Sequence, residues 1–212
     1  NGTGTAASFN NPYGVAVDGS GNVYVGDRNN HLIRKITSGG VVTTLAGTGS
    51  AGSANGTGTA ASFNYPKGVA VDGSGNVYVA DQANHKIRKI TAGGVVTTLA
   101  GSGSAGSANG TGTAASFKYP QGVAVHGSGN VYVGDTSNNL IRKITAGGVV
   151  TTLAGTGSAG SANGTGTAAS FSGPQRIAVD GSGNVFVADK SNHLIRKIAT
   201  TLASGSTTND AT

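Results

Sequence analysis

The string NGTGTAASF begins at Asn1, Asn55, Asn109 and Asn163, so the chain is a tandem array with a spacing of 54 residues. Such an array constrains folding more tightly than composition does, because each unit must pack on the next through the same two faces. Four full units would need 216 residues (4 × 54) and the chain has 212, so the last copy is short. The repeats are expected at 1–54, 55–108, 109–162 and 163–212 of a single domain, with a tail from about residue 204.

Within one copy the apolar pattern has strand character. GVAVD (Gly68 to Asp72) leads through GSGN to VYVAD (Val77 to Asp81). After QANH comes KIRKIT (Lys86 to Thr91), then AGG, then VVTTLAG (Val95 to Gly101). These runs are rich in Val, Ile, Tyr and Thr and are bounded by Gly, Asn or Asp, as strands are. The AGG and GSG connections supply the positive φ that tight hairpins need. No ten-residue stretch keeps a helical period without a glycine, so α-helix is not expected. Four antiparallel strands per copy make one propeller blade. The expected fold is therefore an all-β propeller of four tandem four-stranded blades, the last incomplete. Blades in a ring are covered on both faces, which suits the continuous run Val69-Ala70-Val71; the small residues Val15, Ala16 and Val17 suit the crowded inner strand.

Asn30-His31-Leu32 and Asn192-His193-Leu194 sit in a recurring frame: Pro12, GVAVDGSGNVYVGD at 14–27 and IRKI at 33–36. Copies two and three carry Asn84-His85-Lys86 and Asn138-Asn139-Leu140 at the same place. In this frame the sequence resembles the NHL-repeat β-propeller family over essentially its whole length. The resemblance implies the propeller fold; for function it implies a range from binding scaffolds and RNA-binding domains to lyases.

Long Gly/Ser/Thr/Ala inserts join the copies, and each carries a phenylalanine before a proline: Phe9, Phe63, Phe117 and Phe171. The phenylalanines are expected to pin the inserts by packing between blades. In copy four KITAGGVVTTLAG becomes KIATTLASG, a loss of five residues that removes the glycine turn. The last blade is then expected to be three-stranded, or to pair irregularly over 199–203. Either outcome leaves an open edge through which a second copy could complete a larger ring.

Cys is absent, which excludes disulfides, thiolate metal sites and a cysteine nucleophile. No apolar run approaches the roughly 18 residues of a bilayer-spanning helix. The sequence opens at Asn1 without a charged and apolar leader, so any signal peptide is expected to lie outside it. His31, His85 and His193 fall in the loop between the second and third strands and read as caps, not metal ligands, since copy three has Asn139 there and the chain has no Glu. Asp18, Asp72 and Asp180 lead Asp-Gly-Ser-Gly-Asn turns, with His126 in the fourth such place, and read as turn formers. Asp27, Asp81, Asp135 and Asp189 read as loop caps. No catalytic residue, metal or cofactor is expected.

The net charge is +6, and eight of fourteen basic residues form four Arg-Lys pairs: Arg34 and Lys35, Arg88 and Lys89, Arg142 and Lys143, Arg196 and Lys197. Neighbouring strand residues face opposite ways, so one member of each pair is expected inside the blade and the other in a basic ring. The copies differ chiefly at 28/82/136/190, at the following position and at 10–13 with their equivalents, segments expected on one rim. That rim is the candidate ligand site, with Tyr13, Arg28, His31, Tyr65, Lys67, His85, Tyr119, Lys190 and His193.

The leading expectation is a non-catalytic binding or structural scaffold, extracellular or at the cell surface, with a protein or glycan partner. The composition (no Cys, no Met, abundant Gly, Ser and Thr) suits that setting. Near-identical copies also fit recent amplification, a fragment of a longer array, or deliberate construction. The alternatives are polyanion binding (RNA or acidic glycan) through the Arg-Lys pairs, although basic residues are not clustered with aromatics as nucleic-acid binding favours, and a metal-dependent lyase or lactonase propeller. No membrane partner is expected.

Overall fold

Short β-branched runs separated by glycine turns fold into four antiparallel sheets in this computed structural model, which describes residues 1–200 and the backbone of 209–211. The molecule is an all-β, four-bladed propeller; apart from single 3-10 turns, the described residues contain no helix. In blade one the inner strand Pro12–Val17 pairs with Val23–Asp27, that strand with Leu32–Ile36, and Leu32–Ile36 with Val41–Ala46. Blade two repeats this with Pro66–Val71, Val77–Asp81, Lys86–Ile90 and Val95–Ala100. Blade three does so with Gly122–Val125, Val131–Asp135, Leu140–Ile144 and Val149–Ala154.

Each sheet has five strands, one more than the repeat pattern suggests. The fifth is a two-residue strand drawn from the insert: Gly2–Thr3, Gly56–Thr57, Gly110–Thr111 and Gly164–Thr165. In blades one to three it pairs with the start of its own blade's fourth strand, as in Thr57 with Val95. The insert therefore runs from one blade to the outer edge of the next before reaching that blade's inner strand. Along the way it bonds to the end of the blade it left, where Gly47 N–H donates to the Gly58 carbonyl, and closes on itself, where Ala51 bridges Phe63 in parallel.

The blades cover each other through a repeated apolar junction. Tyr24, Ile33 and Ala46 of blade one meet Ala61, Phe63, Val69 and Val79 of blade two. The same positions meet at the next two junctions, with Phe117 and Phe171 in the place of Phe63. Phe63, Phe117 and Phe171 are fully buried, as the insert-pinning expectation requires, whereas Phe9 packs on no preceding blade among the described residues and is half-buried. Close approach of the inner strands depends on glycine. A Cβ on Gly14, Gly68 or Gly122 would collide with the carbonyl of Lys67, Gln121 or Gln175 on the next blade.

Blade four corrects two expectations. Its third strand runs on as Leu194–Thr200, and Asn209–Ala211 fills the fourth place, pairing with both Ile198–Thr200 and Gly164–Thr165. The sheet, completed by Pro174–Val179 and Val185–Asp189, is thus not three-stranded. Part of the segment expected as a tail is a strand, and of the 199–203 segment only 199 and 200 lie within the described residues, where they pair regularly. The edge of the last blade is therefore finished like the others; what lies open is its face. Inner strands pack in succession from blade one to blade four, but no comparable packing among the described residues joins blade four to blade one. Val15 and Val17 are 64% and 60% exposed and Ile195 is 75% exposed, against 6% for Val69 and 0% for Ile141 at equivalent buried positions.

Candidate functional site

Beneath the rim each blade carries a buried ion pair. Strand pairing sets Val25 opposite Arg34 and Asp27 opposite Leu32, which puts Arg34 and Asp27 on one face, where they meet at 2.9 Å. Asp81 with Arg88 and Asp135 with Arg142 repeat the 2.9 Å contact, and Asp189 with Arg196 closes to 3.2 Å. The Asp81 carboxylate also accepts from the Asn64 backbone N–H and the Asn84 amide. Arg88 donates onward to the carbonyls of Ser62 and Ala54 and to the Asn55 side chain, tying the insert to the sheet. Burial raises the Asp81 and Asp135 carboxyls above the ordinary carboxylate value despite these partners. All four arginines are thus sealed inside the blades. The basic ring reduces to Lys35, Lys89, Lys143 and Lys197, of which Lys35 and Lys89 lie over Tyr24 and Tyr78.

The loop residues His31, His85, Asn139 and His193 all adopt left-handed backbone, φ 54–58°, at the end of a single 3-10 turn. His31 Nδ1 accepts from the Tyr65 N–H, His85 Nδ1 from the Tyr119 N–H and Asn139 Oδ1 from the Gly173 N–H. These are latches between successive blades. Burial, with Arg28 nearby, lowers the His31 pKa, and burial with Lys118 nearby lowers that of His85, which favours the neutral ring that accepts. Tyr65 and Tyr119 are themselves left-handed, φ 52° and 50°, and pack on the histidine rings at 4.8 and 4.5 Å. His193 lies exposed on the last blade.

Nearer the axis the four blades contribute different side chains. The residue following Pro12, Pro66, Pro120 and Pro174 is Tyr13, Lys67, Gln121 and Gln175, and these converge on the channel mouth. Tyr13 Oη donates to Gln121 Oε1 at 2.8 Å and Gln175 Oε1 at 3.2 Å, and Lys67 Nζ donates to Gln121 Oε1 at 2.9 Å. Lys67 Nζ lies 4.6 Å from the centre of the Tyr13 ring. The Arg176 guanidinium lies 4.0 Å from the same ring and donates to the Tyr13 carbonyl at 2.8 Å. Burial, reinforced by Arg28, Lys190 and Arg176, lowers the Lys67 pKa to about 8. Arg28 also lies over Tyr65 at 4.8 Å. Below the mouth the channel narrows to a cavity of about 80 Å³ lined by Gly14, Gly68, Gly122 and Arg176.

At the other end, Asp18 accepts from Ser20, Asn22 and Tyr24. The Asn22 amide leads the interactions that hold its carboxyl at about 2. His126 keeps the turn by bonding Ser128 and reaches Gly181 of blade four. A groove of about 430 Å³ lies between the Asp72 and His126 turns. Among the described residues no three His, Asp or Glu side chains are grouped as metal ligands, and no helix is long and apolar enough to cross a membrane.

The NHL-repeat family model matches residues 9–36, 117–144 and 171–198, and a Teneurin NHL domain model matches 50–111, so the matches touch every copy. The chain is an NHL-repeat β-propeller. Among curated relatives, this NHL propeller is 38% identical over 94 residues to Protein SUPPRESSOR OF QUENCHING 1, chloroplastic, of Arabidopsis thaliana, across 44% of the chain and 9% of that protein. A crystal structure of a Bacteroides thetaiotaomicron protein of unknown function superposes with a TM-score of 0.72 at 27% identity, over 88% of the chain and 46% of that structure. A streptogramin B lyase structure superposes with a TM-score of 0.64 at 14% identity, over 96% and 55%, and shows the fold alone. The NHL propeller therefore spans about half the length of these structures and a tenth of that relative.

Sequence reasoning named Tyr13, Lys67, Arg28 and Lys190 of the mouth and missed Gln121, Gln175 and Arg176. The signal was present: the position after the inner-strand proline reads Tyr, Lys, Gln, Gln, and Arg176 breaks a run of three glycines. Of the other predicted rim residues, His31 with Tyr65 and His85 with Tyr119 form latches between successive blades, and His193 is exposed on blade four.

Proposed function

We propose that this NHL propeller is a non-catalytic binding module whose ligand sits at the channel mouth, on the rim carrying the inserts. One observation carries the reading. Copies that agree at the pinning Phe, the buried Asp–Arg pair and the Pro leading the inner strand differ at Tyr13, Lys67, Gln121 and Gln175, and at Arg28, Gln82, Thr136 and Lys190. A purely structural array gains nothing from asymmetry on its axis, whereas a ligand without four-fold symmetry requires it. The ligand class is a glycan or a peptide, and an extracellular or cell-surface setting fits the absence of oxidisable Cys and Met. Superposition on a lyase supports the scaffold and carries no chemistry to this chain.

A uniform-mouth variant tests the proposal: Tyr13→Gln, Lys67→Gln, Arg28→Gln and Lys190→Gln together, screened with the parent chain on glycan and peptide panels. The expected result is an unchanged β-sheet spectrum with loss of every ligand the parent retains. Retention of those ligands by the variant, or substrate turnover by the parent, overturns the reading.

A further inference from the structure

We propose that the channel mouth binds a single compact anionic group, a carboxylate or a phosphate, held by Lys67, Arg28, Arg176 and Lys190. The inference rests on the binding-module reading and gives its ligand a chemical class. Those four cations come from blades one, two and four, and the described carboxylates are all engaged elsewhere. Asp27, Asp81, Asp135 and Asp189 are paired with the buried arginines. Asp18, Asp72 and Asp180 are held in turns at the opposite end.

Lys67 is only 9% exposed, and its ammonium donates to Gln121 Oε1, leaving donors over. The Lys67 side chain is largely buried, Arg28, Lys190 and Arg176 all disfavour its charge, and the described carboxylates are engaged elsewhere, a costly arrangement for folding alone. An oxyanion among them neutralises the repulsion and accepts the spare donors. The amides contribute in the same sense: Gln121 and Gln175 turn their oxygens toward Tyr13 and Lys67, which leaves their N–H groups as donors. Arg176 points to a ligand as well, because three copies place glycine there and only the fourth sends a guanidinium to the axis. The channel below holds about 80 Å³, room for two or three waters at about 30 Å³ each, which suits one small group and not a threaded polymer.

Calorimetric titration at low ionic strength and pH 7 with inorganic phosphate, sodium glucuronate and a uronic-acid oligomer tests this. Saturable one-site binding of phosphate or glucuronate is expected, weakened about tenfold or more by Lys67→Met and by Arg176→Gly. Lys143→Met, far from the mouth, leaves it unchanged. Affinity for glucuronate falls as the pH passes about 8, because Lys67 loses its proton there. Tighter glucuronate than phosphate assigns the anion to a sugar acid; the reverse assigns it to a phosphate. Thermal midpoints confirm that the variants are folded. Absence of saturable binding by the folded parent, or equal binding by both variants, overturns the anion site, as does binding of the oligomer alone. If an uncharged glycan or peptide still binds the parent and not the uniform-mouth variant, the binding module stands and only its ligand class is wrong.

Discussion

Asp81→Ala lowers the unfolding free energy by about 3–5 kcal/mol, because it leaves the fully buried Arg88 guanidinium without its counter-charge. The same carboxylate holds the Asn64 N–H and the Asn84 amide, so the substitution also frees the chain entering blade two and the loop leaving its second strand. Chemical denaturation of parent and variant measures the difference. Removing the orphaned charge as well, in Asp81→Ala/Arg88→Met, restores part of the loss, as expected where the penalty lies in burying an unpaired ion. A loss below about 1 kcal/mol, the range of an exposed pair, would show that the pair is solvated and the blades looser than described.

Ile141→Ala is the second large effect, at about 2–5 kcal/mol, set against a loss below about 1 kcal/mol for Ile195→Ala. The two isoleucines hold the same place in their blades, but Ile141 is closed under blade four and Ile195 is 75% exposed at the seam. Equal losses in the two variants would mean that something covers the seam in solution. If sedimentation also shows a dimer, that cover is a second copy.

The repeat, the strand runs and the pinning phenylalanines were legible because burial on both faces selects Val, Ile and Phe at fixed spacing. The fifth strand was not, since Gly56–Thr57 carries no apolar side chain to betray a sheet edge. Which member of each Arg-Lys pair turns inward follows from cross-strand register, with Asp27 and Arg34 diagonal neighbours on one face; the recurring Asp and Arg seven residues apart were its visible trace. The mouth was half legible, because Tyr13 and Lys67 stand out as unlike residues while Gln121 and Gln175 pass for ordinary polar positions. Arg176 shows its meaning only once the glycines it replaces are seen pressed against the next blade.

Lys67 reports on the central claim, that the four blades curve until blades one, two and four share one mouth. Its ammonium is destabilised by burial and by Arg28, Lys190 and Arg176, which a linear stack of the same sheets would hold far apart. The folded value lies below the ordinary 10.5, so between the two the unfolded chain binds the extra proton and stability rises with pH. The decisive measurement is an NMR titration of the Lys67 side chain in the ligand-free protein. A midpoint at about 8 is the predicted result; a midpoint at the ordinary lysine value would contradict the shared mouth and the anion site built on it.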